Sequence, residues 1–382
     1  MTKPLYVYDD SLLKYRFNST HPFNQMRLKM TTDLLQSAGF LSEENIIKPR
    51  RATDEELLLV HKQDFLEAVK AAGKGQLSED KMESYGLNTD DTPSFQGMHE
   101  KSSMLAGATL TAVDAVMEGR TGKAASLAGG LHHGFSGRAS GFCIYNDSAV
   151  AIEYMRRNYG KRVMYVDTDA HHGDGVQWIF YDSSEVMTYS IHETGRYLFP
   201  GTGSLTERGA GEGFGSCVNL PVDAFTEDQS FLSIFKESLE AAIIKFKPDV
   251  ILSQNGVDAH YRDPMTHLSL TSASFEEIPR FVCEMADKYT DGKWIAVGGG
   301  GYNIWQVVPR MWAQIWLAMT GNEPPRGRLP QKYLDQYSPK CPVDFPAYWP
   351  DDTHDYQEIP RRREITEKNE STLNRAMLHI ES

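Results

Sequence analysis

Cysteine is scarce in this chain and widely dispersed. Cys143, Cys217, Cys283 and Cys341 are the four cysteines among 382 residues, and none belongs to a Cys-x-x-Cys pair. That spacing argues against a cysteine-ligated zinc cluster. Low cysteine content in a chain of this length is typical of a reducing compartment, so we expect a cytoplasmic protein. The first residues also lack the apolar core of a secretory signal peptide, which fits this expectation.

Positive charge and long apolar runs are also lacking. The chain has 39 Lys and Arg against 52 Asp and Glu, a formal net charge of -13, and no extended basic run. An acidic surface repels phosphate backbones, so we expect no nucleic-acid partner, whereas a cationic peptide would be tolerated better. No apolar run approaches the length that crosses a bilayer, so we expect no membrane partner. Nothing in the composition predicts an oligomeric state.

Strand and helix signals alternate along the chain. A capping box at residues 53–56 predicts one helix that continues to Val69, and a second helix is predicted over residues 100–118. Short apolar runs predict buried strands at residues 124–127, 163–166, 250–252 and 294–297. This alternation predicts an α/β fold with a central, mainly parallel sheet and helices on both faces.

The domain organisation follows from what lies beyond the predicted strands. Because all four strands contribute to one sheet, we expect a single catalytic domain over residues 1–320. Residues 321–350 are rich in proline, and residues 360–382 are highly charged. We therefore expect residues 321–382 to be a C-terminal extension that is packed on the domain or partly disordered.

Each predicted strand runs into a segment with unusual chemistry. In open parallel sheets, ligands bind beyond the carboxyl ends of the strands. Four such ends would therefore build one site from residues that are distant in sequence. The segments are residues 129–133, 167–175, 254–258 and 298–302.

The densest of these segments favours a divalent metal. Asp167, Asp169 and His171 alternate, so in an extended strand they would share one face. A catalytic zinc usually takes three protein ligands and leaves one position for water. Asp169 and His171 can supply two of them, and Asp258, which follows a glycine after another predicted strand, is the best candidate for the third. By itself an Asp after a Gly could merely cap a turn.

Two further groups of residues could supply catalysis. His132 and His133 follow a Gly-Gly turn and could be surface residues, but Asp167 and Asp174 are available to orient them. A His–Asp pair has a fixed tautomer and a raised imidazole pKa, which suits acid–base catalysis. Tyr302 follows four glycines, where a phenol could donate a hydrogen bond to a developing oxyanion. The glycines could equally be a flexible turn.

Taken in order, these motifs resemble the zinc-dependent histone deacetylase superfamily. The resemblance covers roughly residues 5–320, and within the superfamily the chain is most similar to the bacterial acetoin-utilisation deacetylases. A single motif of this kind is weak, whereas five in order leave little room for coincidence. The matching segments are His132-His133, Ser140-Gly-Phe-Cys143, Asn146-Asp147, residues 167–175, Phe199-Pro-Gly-Thr-Gly203, Gly256-Val-Asp258 and residues 298–302.

The resemblance implies a fold and a catalytic centre. The fold would be the arginase–deacetylase α/β fold with an eight-stranded parallel sheet. Asp169, His171 and Asp258 match zinc ligands, although Fe²⁺ could replace zinc at an oxygen-rich site. Matches to catalytic groups are His133 as general base with Asp174, His132 as second histidine with Asp167, and Tyr302 as the residue that polarises the acetyl carbonyl.

The resemblance also implies substrate and cation contacts. Phe142 and Phe199 match the aromatic walls of an acyl-lysine tunnel, although two aromatics beside glycines could equally be core residues. Asp91 matches a rim acid that holds the substrate backbone, and Gly141 and Arg27 match residues around an inner acetate pocket. A structural K⁺ would lie near Asp167, Asp169, His171, Ser190 and Ile191.

The implied activity is metal-dependent hydrolysis of N-acetyl-lysine in proteins to acetate and free lysine, linked to acetoin or acetate metabolism. An acetylpolyamine amidohydrolase would use the same chemistry on a smaller substrate. An arginase-like ureohydrolase would need a second metal, but Asp258 lacks an Asp-x-Asp companion because position 260 is His. Further alternatives are a non-catalytic binding module and Cys143 as a thiol nucleophile, for which a buried inert thiol is the simpler interpretation.

Overall fold

The computed structural model describes residues 2–352, 354 and 356–381. They form one sheet of eight parallel strands in the order β2-β1-β3-β8-β7-β4-β5-β6. The inner strands are short, apolar and buried along their whole length, as expected where helices cover both faces of a parallel sheet. The strands are β1 Leu5–Val7, β2 Ile46–Ile47, β3 Lys123–Ser126, β4 Val163–Asp167, β5 Val186–Glu193, β6 Cys217–Val222, β7 Val250–Gln254 and β8 Trp294–Val297.

Two groups of helices pack on this sheet. In one group α5 packs on α6, and in the other the neighbours run from α1 through α10, α9 and α8 to α12. None of the helices in the part of the chain that is described combines the length and apolar character needed to cross a bilayer. The helices are α1 Met26–Ser37, α2 Asp54–Leu57, α3 Gln63–Ala72, α4 Glu79–Ser84, α5 Met98–Met117, α6 Asp147–Tyr159, α7 Asp174–Ile179, α8 Asp228–Phe246, α9 Ser272–Tyr289, α10 Val308–Thr320, α11 Gln331–Tyr337 and α12 Arg362–Glu381.

The structure confirms the four predicted strands, which are β3, β4, β7 and β8. It also confirms the helix predicted at residues 100–118, which is α5. The single helix predicted from residue 53 to Val69 is wrong, because α2 ends at Leu57 and α3 begins at Gln63. His61 lies between them and is buried, where Nδ1 donates to Phe135 O and Nε2 accepts from Asn146 N. These long-range contacts override the helical periodicity of the local sequence.

The two helices beyond α10 pack against the rest of the molecule. α12 packs on α8 and β6, with Leu373 and Ile380 buried. The Asn369 side chain accepts from Asp223 N and donates to the hydroxyls of Thr226 and Ser230. Residues 360–382, predicted to be either helical or disordered, therefore include an amphipathic helix, and the proposed boundary at residue 320 coincides with the end of α10. Independent folding of residues 1–320 stays a prediction.

Candidate active site

The carboxyl ends of the inner strands meet at one edge of the sheet. Asp167 at the end of β4 lies opposite Gln254 on β7 and Ser190 on β5. Val297 at the end of β8 lies opposite Gln254 and also opposite Ser126 at the end of β3. The four polar segments that follow these strands are therefore neighbours in space, although they are spread over residues 129–302 of the sequence.

Asp169, His171 and Asp258 converge at this edge. One ligand atom from each residue lies within 4.8 Å of the other two, and all three side chains are buried. His171 Nδ1 lies 2.8 Å from Asp258 Oδ2 and 3.1 Å from Asp169 Oδ1. Asp169 and His171 lie just after the end of β4, and Asp258 lies just after the end of β7. The three side chains therefore come from the ends of two adjacent strands.

The charge and chemistry of this triad suit a divalent cation. Burial, followed by the negative charge of Asp169, raises the pKa of Asp258 to about 6. Two buried carboxylates so close together repel each other unless a positive charge lies between them. Two carboxylate oxygens and an imidazole nitrogen are a donor set that binds zinc and related metals. The triad therefore fits the metal that the sequence predicted for it.

Two glycines make room for the carboxylates. A Cβ atom on Gly256 would lie 2.1 Å from Asp169 Oδ2, and one on Gly300 would lie 2.0 Å from Asp258 Oδ2. Gly300 N donates to Asp169 Oδ2 (2.6 Å), so the glycine run that precedes Tyr302 serves as a close-fitting backbone cradle. Gln254 Nε2 donates to the same oxygen (2.7 Å). The sequence analysis did not assign Gln254 this role, since one amide at a strand end carries no distinctive signal.

Each histidine of the His132-His133 pair donates to its own carboxylate. His132 Nδ1 donates to Asp167 Oδ2 (2.8 Å), and His133 Nδ1 donates to Asp174 Oδ1 (2.7 Å). The two rings lie 4.1 Å apart between centroids, and both side chains are buried. The structure thus pairs each histidine with the aspartate predicted for it.

The two imidazoles differ in protonation. Burial opposes the charge on His132, but Asp167 and Asp169 outweigh it and raise its pKa to about 9. For His133 burial is reinforced by the nearby charge of His132, and its pKa is lowered to about 4 in spite of Asp174. The expectation of a raised pKa therefore holds for His132 and is wrong for His133. At neutral pH His133 is neutral, and because Nδ1 is the donor, Nε2 carries a lone pair.

Two residues to which the sequence analysis assigned no role support these histidines. Tyr165 donates its hydroxyl to Asp167 Oδ2 (2.8 Å) from the same face of β4. Asp147 accepts from the backbone N–H groups of Gly130 and Leu131 and from the hydroxyl of Thr109, which fixes the turn that carries the histidines. The position of Asp147 at the start of α6 gives no sign of this in sequence.

Aromatic side chains flank the site on two sides. The ring of Phe199 lies 5.0 Å from that of His133, and the ring of Phe142 lies 5.8 Å from that of Tyr302. Phe199 is 45% exposed, so this wall reaches the surface. Gly141 precedes Phe142 at φ +50°, and a Cβ there would come within 2.6 Å of the His133 ring. The two predicted tunnel walls therefore lie beside the two groups between which a substrate would react.

Tyr302 is fixed through its backbone. Its N–H donates to Asp263 Oδ2 (2.8 Å), and Asp263 follows Asp258 by five residues. Burial and then the charges of Asp258 and Asp169 raise the pKa of the Tyr302 phenol well above its usual range, so it remains a hydrogen-bond donor at neutral pH. Asp263 was not identified from the sequence, although its closeness to Asp258 was a signal that could have been used.

The remaining predicted contacts are placed as follows. Asp91 is exposed, and its carbonyl oxygen lies 3.2 Å from His21 Nε2, whose ring packs 4.6 Å from Phe142. Arg27 is buried beneath the glycine run, where Nη1 donates to Gly301 O (3.0 Å) and Nε has no partner among the described residues. Ser190 lies beside Asp167 on the adjacent strand, followed by Ile191, which puts the predicted potassium ligands together. Binding of acetate or potassium at these places stays a prediction.

Comparisons with known proteins agree with this geometry. The sequence model of the family described as histone deacetylase domain matches residues 21–319. The acetoin utilization protein AcuC of Bacillus subtilis (strain 168) is 54% identical over 382 residues, covering 100% of this chain and 98% of that protein. AcuC of Staphylococcus xylosus is 52% identical, covering 95% and 94%.

Solved structures show the same architecture. A crystal structure of an HDAC homolog complexed with SAHA has a TM-score of 0.86 at 31% identity, covering 98% of this chain and 100% of the other. The HDAC homolog from Aquifex aeolicus gives 0.84 at 30% identity, with the same coverage. The predicted arginase–deacetylase fold with an eight-stranded parallel sheet is confirmed.

Proposed function

The chain belongs to the histone deacetylase family of hydrolases, and we propose that it is a metal-dependent deacetylase that hydrolyses N-acetyl-lysine in proteins to acetate and free lysine. One observation carries the proposal. The triad of Asp169, His171 and Asp258 lies at the same strand edge as two His–Asp pairs and Tyr302. Amide hydrolysis needs an electrophilic centre, a base for water and a donor for the developing oxyanion, and this edge offers all three.

We assign the cation to the triad. A divalent ion held by these three ligands supplies Lewis acidity to the amide carbonyl and to water. We propose zinc as this ion. Fe²⁺ can replace it, because a set of two carboxylates and one imidazole discriminates less between metals than thiolates do. A structural K⁺ near Asp167, Asp169, His171, Ser190 and Ile191 is part of the same proposal.

His133 is the proposed general base. Its neutral ring takes a proton from water on Nε2, while Asp174 holds the opposite nitrogen as a donor and stabilises the imidazolium that forms. His132 stays cationic against Asp167 and adds positive charge next to the reacting centre. Protonation of the leaving amine by His133 or by His132 completes the reaction.

Tyr302 and the two phenylalanines complete the proposed site. The Tyr302 hydroxyl donates to the acetyl oxygen as negative charge develops there. Phe142 and Phe199 contact the aliphatic stem of the acyl-lysine and keep bulk water away from the amide. Asp91, exposed at the side of Phe142, accepts from the backbone of the peptide substrate, which makes a protein or peptide the partner of this surface.

The biological setting is proposed from the relatives. AcuC proteins are named for acetoin utilization, and we propose a link between this deacetylase and acetoin or acetate metabolism. The four cysteines are free thiols, three of them buried, which supports a cytoplasmic location.

The test is a substrate panel with metal analysis on the same preparation. The purified protein is loaded with Zn²⁺ or Fe²⁺, and acetate release is measured from acetyl-lysine peptides and from acetylputrescine. We expect a higher kcat/KM for the peptides and one divalent ion per chain. A preference for acetylputrescine would replace the proposed substrate, two metals per chain would favour ureohydrolase chemistry, and metal-loaded protein inactive on every acylated amine would refute the deacetylase itself.

A further inference from the structure

A cavity of about 600 Å³ lies away from the metal triad, between residues 194–205 and α12. We call it the basic pocket. One wall is the loop that follows β5, and the other is the face of α12 that presents Lys368, Thr372 and Arg375 at helical spacing. Its volume is in the range of small-molecule sites.

The basic pocket holds unbalanced positive charge. Arg196 comes from the loop, and Lys368 and Arg375 come from α12. Asp223 is the one carboxylate in the lining, and it already pairs with Lys368 Nζ (3.0 Å). In the described part of the chain, neither Arg196 nor Arg375 has a carboxylate within salt-bridge distance. Two arginines therefore line one cavity without a carboxylate partner among the described residues.

The arginines at the start of α12 and immediately before it show that this is a local exception. Arg361 pairs with Glu364, Arg362 with Glu227, and Arg363 with Glu367. The chain as a whole carries a formal net charge of -13, so carboxylates are plentiful. Arg375 lies on the same helix but has no carboxylate partner among the described residues, and the same is true of Arg196 across the cavity. Positive charge concentrated in a concave place on an acidic protein attracts anions.

The neutral groups of the lining suit a phosphate. Guanidinium groups bind phosphate oxygens in a bidentate manner, and hydroxyls donate to the remaining oxygens. We propose that the basic pocket binds a phosphate-bearing small molecule through Arg196 and Arg375, with room in the cavity for the organic part. The hydroxyl-bearing residues of the lining that remain available for this are Thr194, Ser204, Ser371 and Thr372.

The same loop connects the basic pocket to the candidate active site. The Thr202 hydroxyl donates to His172 Nδ1 (2.8 Å), and His172 follows the metal-ligating His171 in sequence. Phe199, which packs on His133, lies between Arg196 and Thr202. A phosphate held by both arginines therefore ties the Phe199 loop to α12.

Binding to the metal-loaded protein tests the proposal without reference to its activity. Inorganic phosphate and glycerol 3-phosphate are titrated by calorimetry into the native protein, into R196Q/R375Q and into R157Q/R363Q. The last is a control with the same change in net charge, made at two exposed arginines that pair with Glu153 and Glu367. We expect saturable binding of one ligand per chain, weakened roughly tenfold or more in R196Q/R375Q through loss of two charge-assisted contacts and unchanged in the control.

Two results would overturn the site. One is no saturable binding of either probe at millimolar concentration, and the other is equal affinity in R196Q/R375Q, which would place the anion elsewhere, for example at the metal. Tighter binding of glycerol 3-phosphate than of inorganic phosphate would indicate a phosphate ester as ligand, and equal binding would indicate phosphate alone. Both arginines are exposed, so the melting temperature of the double variant serves to show that it is folded.

Discussion

Two clusters of buried charge include residues only two positions apart, Asp258 and His260, and they are built in opposite ways. At the candidate active site, Asp169 and Asp258 crowd together, and the pKa of Asp258 is raised to about 6 by burial and by Asp169. Two residues further on, His260 Nε2 donates to Asp351 Oδ2 (2.9 Å), and Arg310 Nη2 donates to the other oxygen (2.8 Å). Although burial opposes its ionisation, His260 and Arg310 hold the pKa of Asp351 well below its usual range.

The difference separates a site that receives a ligand from a site that stabilises the fold. The charges around Asp351 are complete within the chain, and Ser272 N adds a further hydrogen bond (2.7 Å). In the metal triad a single imidazole lies between two buried carboxylates, and these three donor groups fit an added cation. We therefore expect changes at the first cluster to alter metal binding and chemistry, and changes at the second to alter stability.

The largest effect is expected at the metal triad. Asp169→Asn removes the charge of one ligand, so the variant should lose its metal. Because several kcal/mol of transition-state stabilisation are lost with the metal, deacetylase activity should fall on the order of a thousandfold or more. Elemental analysis after dialysis measures the metal. Asp291→Asn is the control, since that carboxylate is 94% exposed on the surface. Full metal occupancy in Asp169→Asn would contradict the ligand assignment.

A smaller loss, confined to chemistry, is expected at Tyr302. Tyr302→Phe removes the phenolic donor and should lower kcat by a factor of roughly a hundred to a thousand, about 3 kcal/mol in the barrier. The backbone bond to Asp263 and the metal triad are untouched, so metal content and melting temperature should not change. Hydrolysis of acetyl-lysine peptides at the parental rate would show that the role assigned to Tyr302 is wrong.

The balanced cluster should respond in stability. Asp351→Asn leaves Arg310 buried without its carboxylate and should lower the free energy of unfolding by about 2 kcal/mol, since Asn can still accept some of the hydrogen bonds. Chemical denaturation measures the loss, and kcat of the folded variant should stay near the parental value. Asp352→Asn, at the exposed neighbouring residue, is the control. If the variant were as stable as the parent, the cluster around Asp351 would not contribute to the free energy of unfolding.

The smallest effect concerns pH. Because its pKa is lowered on folding, Asp351 contributes stability that is complete above the pKa of an unfolded Asp and is lost as the pH falls through about 4 and below. Glu276 and Tyr261 also face Asp351, but both residues are unchanged between the parent protein and the Asp351→Asn variant. The stability difference between parent and Asp351→Asn, measured on metal-free samples, should therefore shrink between about pH 5 and pH 3. A constant difference would exclude an ionised Asp351 as its source.

Much of the candidate site could be predicted because its groups are close in sequence or follow recognisable strands. Asp167, Asp169, His171 and Asp174 lie within eight residues, and Asp167 ends β4 while the other three follow it directly. Gln254, Asp147 and Tyr165 could not be assigned roles, since a single amide, carboxylate or phenol is ambiguous until its partner is known. His61 shows the same limit for the fold, because its contacts with Phe135 and Asn146 divide a helix that local periodicity made continuous.

The sequence alone determined the α/β class, the four strands that carry the site, the ligand types and the family resemblance, because hydrophobic periodicity and motif spacing are properties of the chain itself. Only the tertiary structure decided which charges balance. The opposite protonation of His132 and His133, the complete cluster around Asp351 and the unpaired arginines of the basic pocket all depend on distances between residues remote in sequence. Electrostatic free energies depend on those distances and on burial, and neither quantity is present in a linear sequence.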